Sequence, residues 1–292
     1  MKKTRRTQAN ASQASIVTPR KIEVIGVVPA AGQGKRVAPM PCSKELFPVG
    51  FRCLKGHPKE FRPKVVTHYL LEKYRQAGIT KAYIIIRDGK WDIPAYFADG
   101  SMLGMHVAYM VIGDSEGPPA TVDRAYPFLR DKLVAFGFPD ILFGPDDVFE
   151  RLLRRQEETG ADVVLGLYPA HNCRVMDMVE MGRDGRVRNL YLKPRRTNLR
   201  FAWLCGVWTP KYTDFMHSFL AAADDKQRSA WKTLRIDAQG DLPIGAVLRE
   251  AIRSGLHVEG IQFSAHRYID IGTPQDLIRA VRRYSDTKLR GS

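Results

Sequence analysis

The stretch Val24-Ile25-Gly26-Val27-Val28-Pro29-Ala30-Ala31-Gly32-Gln33-Gly34-Lys35-Arg36 decides how this chain folds. An apolar Val/Ile run bounded by small residues is the pattern of a strand buried on both faces. The glycines then fall where that strand must turn at the edge of a sheet. A turn free of bulky side chains lets backbone amides approach a phosphate closely, and Lys35, Arg36 and the nearby Lys44 supply cations to neutralise it. The spacing is neither that of the dinucleotide fingerprint nor that of the P-loop, and Gly-x-Gly after a strand is often only a turn. The rest of the chain has to carry the argument.

Working outward, apolar runs alternate with helical patterns. Residues 67–76 read as a helix stopped by Gly78, 82–86 and 106–112 as strands, 120–129 as a helix and 133–138 as a strand. A helix over 146–158, closed by Gly160, leads to a strand over 162–167. Such alternation predicts right-handed βαβ crossovers: an α/β, Rossmann-like fold with a mostly parallel sheet and helices on both faces. Ligands of such sheets bind at the carboxyl ends of the strands, where the glycine loop and Asp140 both fall. Beyond residue 170 the pattern changes. Residues 175–181 and 186–192 flank Asp184-Gly185, a strong hairpin signal, so an antiparallel hairpin is inserted before a strand over 201–208. Helices are expected over 210–222, 244–254 and 274–284.

The 292 residues carry a net charge of +15, of which six cations and no acid lie in the first 21 residues. That segment reads as a disordered basic tail, and residues 22–292 as a single domain. The tail lacks the apolar core of a secretory signal, and no apolar run is long enough to span a bilayer. Basic clusters at residues 193–200 and along the last helix, continuing to Lys288 and Arg290, invite nucleic acid as a partner. However, the aromatics are not interleaved with them as a stacking platform requires, so no specific nucleic-acid partner is expected. Cys42, Cys53, Cys173 and Cys205 show neither zinc spacing nor a disulfide framework, which predicts a reducing, cytoplasmic setting.

Residues 31–48 resemble the signature of the sugar-phosphate nucleotidylyltransferase family, in which Gly-x-Gly-x-Arg is followed by a Pro or Ser, a Lys and a Leu-x-Pro. Three later segments agree in order: Phe138-Pro139-Asp140, Leu192-Lys193-Pro194 and Asp270-Ile271-Gly272-Thr273. The resemblance covers residues 22–285 and implies the nucleotide-diphospho-sugar transferase fold. It also implies NTP and a sugar 1-phosphate as substrates and Mg²⁺ as cofactor. The hexapeptide β-helix that many larger relatives append is not expected. Carried over residue by residue, it makes Arg36 and Lys44 the catalytic cations and Asp140 a catalytic, metal-binding carboxylate, with Asp270 as the second metal ligand. Ala30, Ala31, Gly32, Gln33, Gly34, Lys35 and Gly117 then bind the nucleotide, and Lys193 and Gly206 the sugar phosphate. A homo-oligomer is compatible with all of this.

The pattern departs in places. Leu192 stands where the family has a glutamate that accepts hydrogen bonds from sugar hydroxyls, and residues 112–120 lack the glutamine that reads the base. A pocket without its hydroxyl acceptor discriminates poorly, so neither sugar nor base is specified. The chain reads as a divergent member. A catalytically silent regulator that binds a nucleotide or sugar nucleotide, and a nucleic-acid-associated basic protein, are the competing classes.

Overall fold

The computed structural model describes residues 22–54, 57–223 and 241–285; the expected tail over 1–21 and the basic residues Lys288 and Arg290 lie outside them. Strand β1 (Val24–Ala30) is followed by a hairpin of β2 (Pro48–Leu54) and β3 (His57–Val65), helix α1 (Val66–Gln76), strand β4 (Lys81–Arg87) and helix α2 (Asp92–Phe97). Next come β5 (His106–Ile112), α3 (Pro118–Asp123), α4 (Tyr126–Leu129), β6 (Leu133–Gly137), the short β7 (Ile141–Phe143), α5 (Val148–Thr159) and β8 (Val163–Pro169). The second half contains β9 (Met178–Met181), β10 (Val187–Tyr191), β11 (Phe201–Trp208), α6 (Pro210–Ala221), α7 (Ile244–Arg253), β12 (Val258–Gln262), β13 (Tyr268–Asp270) and α8 (Pro274–Ser285).

The main sheet runs β10-β9-β11-β6-β1-β4-β5, and β8 pairs with both β11 and β12. Strand β1 is parallel to β4 on one side and to β6 on the other, so chain connections depart in opposite directions from its carboxyl end. That switch point opens a crevice under the glycine loop. Strand β11 is antiparallel to both β6 and β8, and the β9–β10 hairpin extends the sheet beyond it. The mostly parallel, doubly covered sheet with an antiparallel insertion is therefore present as expected.

Each face of the sheet has its own core. Leu70, Leu71 and Tyr74 of α1 pack with Phe149 and Leu152 of α5 on one side, against Ile84 and Val207. On the other, Val122, Tyr212, Met216, Val247 and Leu248 cover Ile25, Val27, Phe136 and Trp208. Gly26 is small because the Tyr74 ring occupies its side-chain position, and the Tyr74 hydroxyl donates to the Val27 carbonyl at 3.0 Å. Helix α5 stops at Gly160, whose φ of 62° gives the left-handed cap that returns its N–H to the Gln156 carbonyl.

Several elements differ from the expectation. The single helix predicted over 120–129 is two short helices, because Pro127 has no N–H to continue the first. The hairpin β2–β3 is hidden in the sequence by its prolines and cations, and its Val49 joins Val66, Leu142, Ile271 and Ala280 in a third, smaller cluster that seats α8. Strand β12 is hidden by Glu259, which is buried yet paired with Arg155 at 2.7 Å and His257 at 2.8 Å.

Candidate active site

The loop leaving β1 is open where a ligand would need it open. Gly32, Gln33, Lys35 and Arg36 are exposed. A side chain at Gly32 would meet nothing within 4 Å, so no internal packing requires that glycine. Gly34 has φ +65° and turns the chain through a Val37 N–H bond to its carbonyl, 3.1 Å long. Underneath, the loop is anchored. Lys90, just past β4, donates to the Ala30 carbonyl at 2.8 Å and to both carboxylate oxygens of the buried Glu45 at 2.7 and 2.8 Å. Ser43 donates through its backbone N–H and hydroxyl to Asp92 at 2.6 and 2.8 Å. Burial raises the Glu45 carboxyl and lowers the Lys90 ammonium, and each partner's charge opposes the other's shift. Breaking such a pair strands a buried charge, at a cost of about 3–5 kcal/mol, so this pair and Asp92 hold the loop's shape. Sequence reasoning misses all three residues; the signal is Lys90's place at the carboxyl end of a parallel strand.

Asp140 does not end β6, as the sequence suggested; it lies in the turn that precedes β7. Strand β7 pairs antiparallel with β13, setting Asp270 opposite Ile141, and the Ile271 N–H bonds the Asp140 carbonyl at 3.0 Å. Two aspartates 130 residues apart in sequence thus become neighbours. Lys44 reaches Asp140 Oδ2 at 2.5 Å, and Arg36 closes the group from the loop side: a Cβ on Gly272 would lie 2.8 Å from its guanidinium and 3.0 Å from Asp270 Oδ1. Burial by itself would raise the Asp140 carboxyl, but the Lys44 charge and hydrogen bond, with Arg36, hold it below the ordinary carboxylate range. Asp270 is pushed the other way, to about 6, first by burial and then by the charge of Asp140. Burial opposes the Lys44 ammonium, yet Asp140, Glu45 and Asp270 together keep its pKa raised.

Asp270 is free of capping duty, because Thr273 and Asp276 start α8 by themselves: the Thr273 hydroxyl donates to Asp276 at 2.6 Å and accepts the Asp276 N–H at 3.2 Å. Its Oδ1 is buried with no hydrogen-bond partner among the described residues. Also among the described residues, no three His, Cys, Asp or Glu side chains gather to hold a metal ion. Two adjacent carboxylates, one with an unsatisfied buried oxygen, nevertheless fit Mg²⁺, which commonly takes one or two protein carboxylates and completes its shell with phosphate oxygens and water. Cys42, near this loop, has its thiol pushed up by burial and by Asp92 and Glu45, which argues against a nucleophile.

The remaining predicted residues come from other elements. Gly117, with φ +112°, leaves β5, and the Leu242 carbonyl would lie 2.3 Å from any Cβ, so glycine is obligatory there. Gly206 is interior to β11, opposite Phe136 of β6, where a Cβ would crowd the Val164 carbonyl at 3.1 Å and Leu165 at 3.2 Å, so sheet packing accounts for the glycine. Lys193 follows β10 in a left-handed conformation, φ 40°, which a lysine rarely adopts. It stands beside Asp177, a residue that the sequence does not single out.

With this geometry in view, the comparisons with known proteins are direct. The Nucleotidyl transferase family pattern matches residues 25–287, and the chain belongs to that family. It is 25% identical over 260 residues to a glucose-1-phosphate thymidylyltransferase of Streptomyces antibioticus, covering 88% of this chain and 65% of the relative. It is 24% identical over 262 residues to a low-salt glycan biosynthesis nucleotidyltransferase of Haloferax volcanii, covering 87% and 64%. The chain thus spans slightly under two thirds of the length of these relatives. A Bacillus anthracis structure solved with sucrose, and assigned there as a glucose-1-phosphate thymidylyltransferase, superposes with a TM-score of 0.72 at 18% identity, over 90% of this chain and 96% of that one. That likeness establishes the nucleotidyltransferase fold. No helix among the described residues is long and apolar enough to cross a membrane.

Proposed function

We propose that this chain transfers a nucleoside monophosphate from an NTP to a sugar 1-phosphate, or a related small phosphate, releasing pyrophosphate. The observation that carries the reading is the convergence of Arg36, Lys44, Asp140 and Asp270 at the mouth of an open glycine loop. The acceptor phosphate is already a nucleophile. One of its oxygens bonds to the α-phosphorus while the bond to the bridging oxygen breaks and its electrons leave with pyrophosphate, so catalysis is positioning plus electrostatics. The amides from Gly32 to Lys35 and the Arg36 guanidinium hold the β- and γ-phosphates, Gly117 borders the nucleotide, and Lys44 neutralises the α-phosphate. Asp140 and Asp270 would hold Mg²⁺, which supplies Lewis-acid neutralisation of the charge between the reacting phosphates. Lys193 grips the acceptor phosphate.

The test is pyrophosphate release from the purified chain with each NTP, a panel of hexose 1-phosphates and Mg²⁺. Turnover should vanish with EDTA and return with Mg²⁺. Binding of NTP by calorimetry without turnover for any pair would overturn the reading in favour of a nucleotide-binding regulator.

A further inference from the structure

The glycine loop does little to hold itself. Among the described residues, the backbone hydrogen bonding within residues 31–42 comes down to the Val37 N–H on the Gly34 carbonyl at 3.1 Å. Both ends of the loop are instead held from outside by one short turn, Lys90-Trp91-Asp92, between β4 and α2. Lys90 takes the near end at the Ala30 carbonyl, and Asp92 takes the far end through the Ser43 N–H and hydroxyl. Glu45, the residue after Lys44, completes the clamp by accepting from Lys90 with both oxygens.

An ammonium has three N–H donors, and Lys90 has three acceptors: the Ala30 carbonyl at 2.8 Å and the Glu45 oxygens at 2.7 and 2.8 Å. None is left for a ligand. The pair is nearly sealed, with the Lys90 and Glu45 side chains 11% and 1% exposed. A buried ion pair adds little net stability over well-packed apolar residues, so stability alone is a weak reason to keep one here. What this pair supplies is geometry. Glu45 follows Lys44 in one helical turn, residues 44–46, and Ala30 ends the strand from which the loop carrying Arg36 departs. A single ammonium thus ties the segment that carries Lys44 to the strand end that carries Arg36. The charges extend the tie, because Glu45 favours the Lys44 ammonium and Lys90 feels both Lys44 and Asp140.

We infer that Lys90 and Glu45 are positioning residues that set the separation of Arg36 and Lys44, and that the bond from Lys90 to the Ala30 carbonyl is the contact through which they act. The inference rests on the transferase reading above, in which Arg36 holds the β- and γ-phosphates and Lys44 the α-phosphate. Neither Lys90 nor Glu45 touches the nucleotide. They keep two cations in register with a triphosphate, and a shift of one cation against the other spoils the fit at the α–β bridge, where the bond breaks.

The test compares two variants of the full chain with wild type. Glu45→Gln keeps Lys90 and its bond to the Ala30 carbonyl but leaves the ammonium without its counter-charge. Glu45→Gln/Lys90→Met removes the buried charge and the Ala30 bond together. Stability and nucleotide affinity should then move in opposite directions. Glu45→Gln should melt lowest yet bind NTP within about threefold of wild type, whereas the double variant should melt higher than Glu45→Gln and bind NTP about tenfold or more weakly. In the pyrophosphate assay the double variant should lose about 10²-fold in kcat and keep the acceptor KM within about twofold. Affinity is read by calorimetry with whichever of ATP, CTP, GTP, UTP and dTTP binds wild type most tightly. Affinity that tracks melting temperature across the three proteins, or wild-type affinity in the folded double variant, would overturn the inference. If Glu45→Gln does not fold, the double variant decides alone. Binding without turnover by wild type would defeat the transferase reading and leave the affinities to decide the clamp, and no binding of any NTP would defeat both.

Discussion

Around Lys44 and Glu45, buried charge is answered by opposite charge. Lys44 meets Asp140 and Lys90 meets Glu45, while Oδ1 of Asp270 has no hydrogen-bond partner among the described residues. Around Asp177 the plan differs: an acid is set among Leu192, Trp203 and a helix terminus, and the charges of Lys193, in a strained conformation, and of Arg249 oppose its burial without an ion pair. The first region resembles the family pattern but has a shorter spacing from Arg36 to Lys44 and Pro139 where the family has glycine; the second departs from it at Leu192. The difference teaches two ways of holding a buried charge. At Lys44 and Lys90 each ammonium is met by a carboxylate within 3 Å. At Asp177 burial outweighs the opposing charges and the carboxyl is pushed up to about 6.

The largest effects should come from the paired carboxylates, which ought to split in sign. Asp140→Asn and Asp270→Asn should each cut turnover by about 10²-fold or more, as expected for a lost metal ligand. Their stabilities should diverge. Asp140→Asn deprives the half-buried Lys44 of its partner and should lose about 1–2 kcal/mol in metal-free denaturant unfolding, more than loss of a metal ligand alone would predict. Asp270→Asn removes a carboxylate that burial and Asp140 destabilise, and should gain about 1 kcal/mol at pH 7.5. Equal stability changes of the same sign would break the electrostatic account of the centre.

Next in size is Lys193→Ala. A lost charge-assisted contact of about 2 kcal/mol should raise the acceptor KM roughly 30-fold and spare the NTP KM. If both constants rise together in steady-state kinetics, the two regions are one site and the comparison fails.

The smallest effect sharpens it most. The Asp177 carboxyl rises on folding from near 3.8 to about 6, so the native state binds more protons than the unfolded state between those values and loses stability as pH rises through that window. Asp177→Asn has no such proton. Relative to wild type it should gain about 1–2 kcal/mol between pH 4 and pH 7, read from urea midpoints at each pH. A flat difference would mean the carboxylate is already satisfied.

Much of the fold and of the charged candidate centre is legible in the amino-acid sequence. Val24 to Arg36 carries its message locally, as an apolar run, small residues and then cations, and Asp140 and Asp270 sit in short motifs near strand ends. Asp177 is not legible, because a single acid between Met176 and Met178 looks like solvent-facing chain; its burial is created by α7 and β11, remote in sequence. Glu45 and Lys90 escape notice for the same reason, since nothing local reveals a partner 45 residues away. The hairpin β2–β3 lacks a recognisable period because Arg52, Arg62, Pro63 and Lys64 interrupt its apolar positions.

The ribbon between β7 and β13 has a temporal meaning as well. Lys44 and Asp140 are synthesised before Asp270, which arrives on a later strand and is locked on by Ile271 and Ala280. A nascent chain can therefore form the Lys44–Asp140 pair while the second carboxylate is still unmade. The pairing of the two carboxylates waits on the synthesis of residue 270.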